Sequence, residues 1–307
     1  MPSEIHLVFA TNRAYCPYLL IALDSAIRHA SSPCAVHVLS DDLADEDKRK
    51  IKQLAKHHHG RASFPSLHRD DHSTLPNLAH FGTEAYLRFY GPKLIPDADR
   101  LLYFDCDVVI LDDIAKLSQL DLEGCTIAAA PMLNSPYGPS FGNRFGYAFK
   151  QPYFNSGVLV IDANRWRDEN AEDALLNWLA NHRDEVYYPD QDALNAVFGD
   201  RYKTLPPGWN CESRYFTEKS MPHQDRDLIA DATSHTSLIH YTGGTKPWTS
   251  VGYCPRRGDF WTNEPEVSRV TQYSYARFRK RNSARDTLRT KIQLFRIKLS
   301  HRLRNVR

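Results

Sequence analysis

Residues 100–114 read RLLYFDCDVVILDDI, and the reading of that stretch decides the fold. Four apolar residues, Leu101, Leu102, Tyr103 and Phe104, run into two aspartates one residue apart, Asp105 and Asp107. The chain then turns apolar again. Taken as one strand, the two acids share a face and Cys106 points the other way. Side by side they repel, and burying an ionised carboxylate is costly unless it is paired. A divalent cation removes both problems, at the strand ends where open α/β sheets place their ligand crevice. The plainer alternative ends the strand at Phe104 and leaves both acids solvated in a loop.

Upstream, strand-like and helix-like segments alternate. IHLVFAT (5–11) and AVHVLSDD (35–42) read as strands, and YLLIALDSAIRHA (18–30) as an amphipathic helix. DEDKRKIKQLAKHHH (45–59) reads as a solvated helix, opened by acids and closed by bases in accord with the helix dipole. A short strand is expected near RASFPSL (61–67) and a helix over GTEAYLRFYGPKLI (82–95). This alternation predicts βαβ units and a mostly parallel sheet.

Downstream, residues 133–153 are rich in Gly, Pro and aromatics and read as a long loop. From Met132 to Tyr153 the aromatics Tyr137, Phe141, Phe145, Tyr147, Phe149 and Tyr153 suit either an acceptor-binding lid or a surface loop pinned by its own rings. YFNSGVLVID (153–162) is a further strand, and NRWRDENAEDALLNWLANH (164–182) one helix with Asn164 as its cap.

Two other stretches carry chemistry. SLIHYTGGTKPW (237–248) delivers His240, a glycine turn at Gly243 and Gly244, and Lys246. A glycine turn lets backbone N–H groups approach phosphate oxygens, and lysine supplies a point charge. A neutral His240 could ligate a metal; a tight turn with a structural histidine is the alternative. In YPDQDALN (188–195), Asp190, Gln191 and Asp192 open an apparent helix, which ordinary capping also explains.

With 307 residues, 42% hydrophobic and 25% charged, the chain is that of a soluble globular protein of one large α/β domain with appendages, or two domains. No run reaches the roughly 18 apolar residues of a membrane span. The start, MPSEIHLVFAT, lacks the pattern of a secretory signal. Six scattered cysteines without a C-x-x-C pair suggest reduced thiols in a cytosolic protein.

Six stretches in this order resemble glycosyltransferase family 8, the retaining nucleotide-sugar transferases: VFATNRAY (8–15), AYLRFY (85–90), LLYFDCDVVI (101–110), YFNSGVLVID (153–162), DQDALN (190–195) and HYTGGTKPW (240–248). That family includes bacterial lipopolysaccharide glucosyl- and galactosyltransferases and glycogenin. The resemblance covers roughly residues 5 to 250. It implies a GT-A fold of two abutting Rossmann-like halves over residues 1–262. It also implies Mn²⁺, or Mg²⁺, held by Asp105, Asp107 and His240 against a UDP-sugar diphosphate. Carried over position by position, Ala10, Thr11, Asn12 and Tyr15 would hold the nucleotide, Tyr15 stacking on uracil. Arg88, Asp105, Cys106, Asn155, Ser156, Gly243 and Lys246 complete the donor site, with Asp190 and Gln191. Those last two are the catalytic candidates, as stabilisers of an oxocarbenium-like transition state and not as nucleophiles. The expected reaction moves glucose or galactose to a saccharide acceptor of lipopolysaccharide core or a similar surface glycan. The first loop, TNRAY, departs from the bacterial galactosyltransferase pattern and is closer to that of glycogenin.

Residues 263–307 read as a linker and tail. From Arg277 to Arg307 there are twelve Lys/Arg and one acid, a net of +11, so the other 276 residues carry −9 against the total of +2. Leu288, Ile292, Phe295, Leu299, Leu303 and Val306 fall on one helical face. A basic amphipathic helix of this kind suits an anionic membrane surface, which predicts a cytoplasmic protein attached peripherally to the inner membrane, with no nucleic-acid partner. Two rivals remain at this point. One is a haloacid-dehalogenase-like phosphatase with Asp105 as nucleophile, Asp107 as general acid and Mg²⁺. The other is a catalytically silent nucleotide- or glycan-binding protein.

Overall fold

The structure is a computed structural model that describes residues 4–66, 84–217, 225–249 and 252–276. The chain opens with β1 (Ile5–Ala10), α1 (Cys16–Arg28), β2 (Cys34–Leu39), α2 (Asp45–His57) and β3 (Arg61–Ser63). The acids at the head of α2 and the bases at its end stand where the helix dipole favours them. Two single helical turns, α3 (Glu84–Leu87) and α4 (Gly91–Leu94), flank a 3₁₀ turn at Arg88–Tyr90. The helix expected over 82–95 is thus broken around Arg88, ahead of Pro92.

Next come β4 (Arg100–Phe104), β5 (Val108–Ile110), α5 (Ala115–Ser118) and β6 (Ile127–Pro131). α6 (Tyr137–Phe145) occupies the stretch expected to be a loop. Its aromatics explain the difference: Phe141 is fully buried and stacks near Tyr147 and Phe149, with Trp178 beyond it. None of the six rings is exposed, so the pinning reading fits this segment better than a lid of open aromatic faces.

β7 (Phe154–Asp162) leads into α7 (Ala163–Asp168) and α8 (Ala171–His182). The single helix expected here is divided at Asn170, which adopts a left-handed φ of 49°. The cap of α7 is Asp162, which accepts from Arg165 N at 3.0 Å, and not Asn164, which bonds Asp99 and Arg167 instead. α9 (Pro189–Phe198), β8 (Lys203–Thr204), β9 (Cys211–Glu212), α10 (Arg226–Ser234), β10 (Leu238–His240), α11 (Arg257–Thr262) and α12 (Glu264–Thr271) complete the described fold.

Seven strands form one sheet in the order β3-β2-β1-β4-β7-β6-β8, and β5, β10 and β9 form a second, smaller one. The large sheet is parallel at every pairing except those of β7, which runs antiparallel to β4 and β6. Alternation along the strands fills both faces. Leu102 and Phe104 of β4 pack with α1, while Leu101 and Tyr103 point to the layer holding Trp166, Leu175 and Phe198. Residues 263–276 join this body: Val267 and Tyr275 are fully buried, and the Tyr275 hydroxyl donates to Pro17 O at 2.6 Å. The basic tail lies outside the described residues.

Candidate functional site

The stretch that opened the sequence reading is not one strand. β4 ends at Phe104 and the chain turns through Asp105, Cys106 and Asp107 before β5 begins in the other sheet. The two acids therefore stand in a turn between sheets and not on a strand face. They are not simply solvated either, since Asp107 is buried. Cys106 points inward and its thiol donates to Ala10 O at 3.4 Å, tying this turn to the end of β1.

β10 brings His240 against the turn, antiparallel to β5 with His240 opposite Val108. His240 Nε2 lies 3.2 Å from Asp107 Oδ1 and 3.7 Å from Asp105 Oδ2. Its Nδ1 lies 2.8 Å from Asn210 Oδ1, and Asn210 Nδ2 donates in turn to Asn155 Oδ1 at 3.0 Å. Lys246 Nζ pairs with Asp107 Oδ2 and donates to Tyr241 O at 2.7 Å. Burial works against ionisation of Asp107, but Lys246 and His240 outweigh it and hold the carboxyl well below the usual range. Burial likewise opposes the charge on His240, and Asp107 more than offsets it, raising the imidazole.

A second group faces these residues. Arg88, buried at the 3₁₀ turn, reaches Asp105 Oδ1 at 3.1 Å and Asp190 Oδ2 at 3.0 Å. It also donates to Ser156 O and Oγ. The Tyr103 hydroxyl donates to the same Asp105 oxygen at 2.7 Å. Asp190 accepts from Ser156 Oγ at 3.0 Å, and Gln191 Oε1 accepts from Ser156 N at 3.1 Å. Burial raises the Asp190 carboxyl, against the pull of Arg88.

These residues line one cleft of about 430 Å³ that holds Arg88, Asp105, Asp107, Asp190, Gln191 and His240. Asn155, Ser156, Gly243 and Lys246 line it too. Gly243 takes φ +76°, which the turn after β10 requires and which glycine adopts without strain. The first loop stands beside it. Thr11 is buried and bonds Leu39 O through its N–H, and Asn12 Oδ1 accepts from Tyr15 N. Tyr15, 41% exposed, is braced edge-on by Tyr18 and Trp248.

Sequence reasoning did not find Asn210, Glu212, Arg214 or Tyr188. Glu212 is buried beside the cleft and accepts from Arg214, Tyr215 and Thr242. A polar side chain on a two-residue strand leaves no periodic trace; the sole sign is that PPGWNCES (206–213) places Asn and Glu next to apolar residues.

Among the described residues, Asp105, Asp107 and His240 are the one cluster whose ligand atoms all lie within 4.8 Å of one another. Two carboxylates and an imidazole whose far nitrogen is already bonded suit a divalent ion such as Mg²⁺ or Mn²⁺. The mostly parallel α/β sheet, with this cluster formed by the turn after β4 and the end of β10, is a GT-A-like fold of the kind found in glycosyltransferases. The chain belongs to glycosyl transferase family 8, whose family model matches residues 6–252.

Relatives agree. General stress protein A of Bacillus subtilis is 28% identical over 74% of this chain and 80% of its own length. The lipopolysaccharide 1,2-glucosyltransferase of Escherichia coli is 32% identical over 69% of this chain and 63% of its own length. The crystal structure of galactosyltransferase LgtC with donor and acceptor sugar analogs superposes with a TM-score of 0.76, at 25% identity, over 88% of this chain and 98% of that one. This membership sets the phosphatase rival aside.

Proposed function

We propose that the protein is a retaining hexosyltransferase that uses a UDP-sugar and a divalent metal, Mn²⁺ or Mg²⁺. The observation that carries the reading is the meeting of two groups in one cleft: Asp105, Asp107, His240 and Lys246 on one side, Arg88, Asp190 and Gln191 on the other. Asp105, Asp107 and His240 would hold the ion. Bound there, it would act as a Lewis acid neutralising the charge of a nucleoside diphosphate leaving group. Lys246 adds a point charge, and the exposed ring of Tyr15 is a stacking surface for the base, with Ala10, Thr11 and Asn12 alongside.

Asp190 is the acid next to the proposed sugar position. Its Oδ2 is engaged by both Arg88 and Ser156, which suits electrostatic stabilisation of positive charge better than nucleophilic attack. Gln191 is anchored by Ser156 N and Tyr153. A solved active-site mutant of LgtC replaces a glutamine with glutamate, and Gln191 is the glutamine that lines this cleft. Glucose or galactose would be the transferred sugar, and lipopolysaccharide core or a similar surface glycan the acceptor. The named glucosyl- and galactosyltransferase relatives support this. We place the catalytic domain within residues 1–262, with residues 263–276 of the expected linker packed against it, and assign the basic tail to an anionic membrane on the cytoplasmic side.

Calorimetric titration of UDP, UDP-glucose and UDP-galactose, each with Mn²⁺ and with EDTA, tests the reading. Metal-dependent binding that disappears in Asp107→Asn supports it, and slow hydrolysis of one sugar names the donor. Absence of UDP binding would overturn it, and binding without hydrolysis or transfer would favour a silent nucleotide-binding protein.

A further inference from the structure

We infer that Asn210 is a positioning residue that sets, together, the polarity of the metal-facing histidine and of the cleft-facing amide of Asn155. The inference rests on the metal-dependent reading of the cleft. It starts from a backbone group whose role cannot change. Gly157 N–H donates to the Asn155 side chain at 2.9 Å, so the atom it meets is the carboxamide oxygen. The Asn210 atom 3.0 Å from that same oxygen must then be a donor, Nδ2. Asn210 therefore turns its own oxygen to His240, 2.8 Å from Nδ1, and that oxygen can only accept. Nδ1 carries a proton, and Nε2 is the ring nitrogen that faces Asp105 and Asp107.

The far end of the chain is fixed by the same logic. With Oδ1 of Asn155 engaged twice, its Nδ2 is left as a donor for the cleft that Asn155 lines. A sugar hydroxyl or a phosphate oxygen is the complementary ligand. Asn155, Asn210 and His240 are 8%, 2% and 3% exposed, so water competes little for these bonds. One backbone N–H thus orients two amides and selects one imidazole tautomer. It couples the group that holds the ion to a group that reads the donor.

The test uses the full chain, with Mn²⁺ alone as the first probe and UDP and UDP-sugars as the second. Asn210→Ala is expected to weaken Mn²⁺ binding by about 10- to 100-fold, the usual effect of losing a hydrogen-bond partner behind a metal ligand. Asn210→Asp keeps an acceptor against Nδ1 and should hold Mn²⁺ near wild-type affinity. It sets two oxygens against each other at Asn155, however, so the gain in affinity from UDP to UDP-sugar should fall. Asn155→Asp still accepts from Gly157 and Asn210. It should keep Mn²⁺ binding and lose the same UDP-sugar gain. Melting temperatures measured alongside separate misfolding from mispositioning, and the two aspartate variants decide the matter if Asn210→Ala does not fold. Wild-type Mn²⁺ affinity in Asn210→Ala overturns the inference, as does Asn210→Asp weakened like the alanine variant. Failure of the wild-type protein to bind Mn²⁺, or undiminished binding by Asp107→Asn, would instead overturn the metal reading beneath it.

Discussion

Gly157 sits so close to His240 that a Cβ at 157 would lie 2.2 Å from the imidazole Cε1 and 2.7 Å from Asp105 Oδ2. The proposed metal-holding histidine is thus seated on a bare backbone. Gly157→Ala should push the ring and Asp105 apart, lowering Mn²⁺ affinity at least about tenfold, the range seen when support behind a ligand is lost. Calorimetry checks it, and unchanged affinity would show that the ring is free to shift.

The ion pair of Lys246 with Asp107 leads to a prediction of opposite signs. An ammonium on Asp107 competes with any other cation for that carboxylate. Lys246→Ala should therefore bind Mn²⁺ alone more tightly and UDP more weakly than the wild type. It should also melt at a lower temperature without metal, because a largely buried carboxylate is left with His240 as its remaining cationic partner. A parallel loss of both affinities would refute this account.

His37 gives a pH dependence away from the cleft. Burial, with His6 and Arg61 adding, lowers its pKa from 6.5 to about 4. A histidine depressed on folding binds its proton more readily in the unfolded chain. Stability is therefore complete above pH 6.5 and declines as pH falls from 6.5 to 4, by on the order of 3 kcal/mol. Denaturant titrations across that window should show the slope, and His37→Gln should flatten it.

Asp192 is fully buried and accepts from the hydroxyls of Tyr137 and Tyr153 and from the N–H groups of Tyr187 and Tyr188. It joins α6 and the residue that leads into β7 to α9, next to Gln191. Asp192→Ala leaves these donors unmatched and should cost roughly 3 kcal/mol or more in urea unfolding. A loss below about 1 kcal/mol would mean that water replaces the carboxylate.

The tail can be tested directly. Deleting residues 277–307 removes a net charge of +11 and should release the protein from anionic vesicles without changing binding to neutral ones. Equal binding by the shortened chain would place the attachment elsewhere.

Much of this was legible in the residues. The βαβ alternation through β3, the apolar run of β4, and the three ligand candidates on two separate stretches follow from periodicity and from the family motifs. What was hidden depends on tertiary contacts. The Asp105–Asp107 pair fits a strand by spacing alone, and only the parting of two sheets after Phe104 makes it a turn. α6 contains two internal glycines and a proline, which mask a helix held by Phe141 against distant rings. The split between α7 and α8 rests on one left-handed asparagine, and Asn210 acts on a side chain thirty positions later.

The reversed direction of β7 has a consequence for how such a protein can diverge. Because β7 starts where β4 ends, Asn155 and Ser156 reach the cleft from the beginning of a strand, while Asp105 reaches it from the end of another. The two contributions are fifty residues apart in the chain and are anchored by different strands. Under the proposed function, changes at the start of β7 that spare Asn155 and Gly157 would therefore alter how a donor is held without rewriting the turn that carries the acids. The proposed donor contacts and the proposed ion ligands thus come from separate strands, and the bonds from Asn155 through Asn210 to His240 are what tie one to the other.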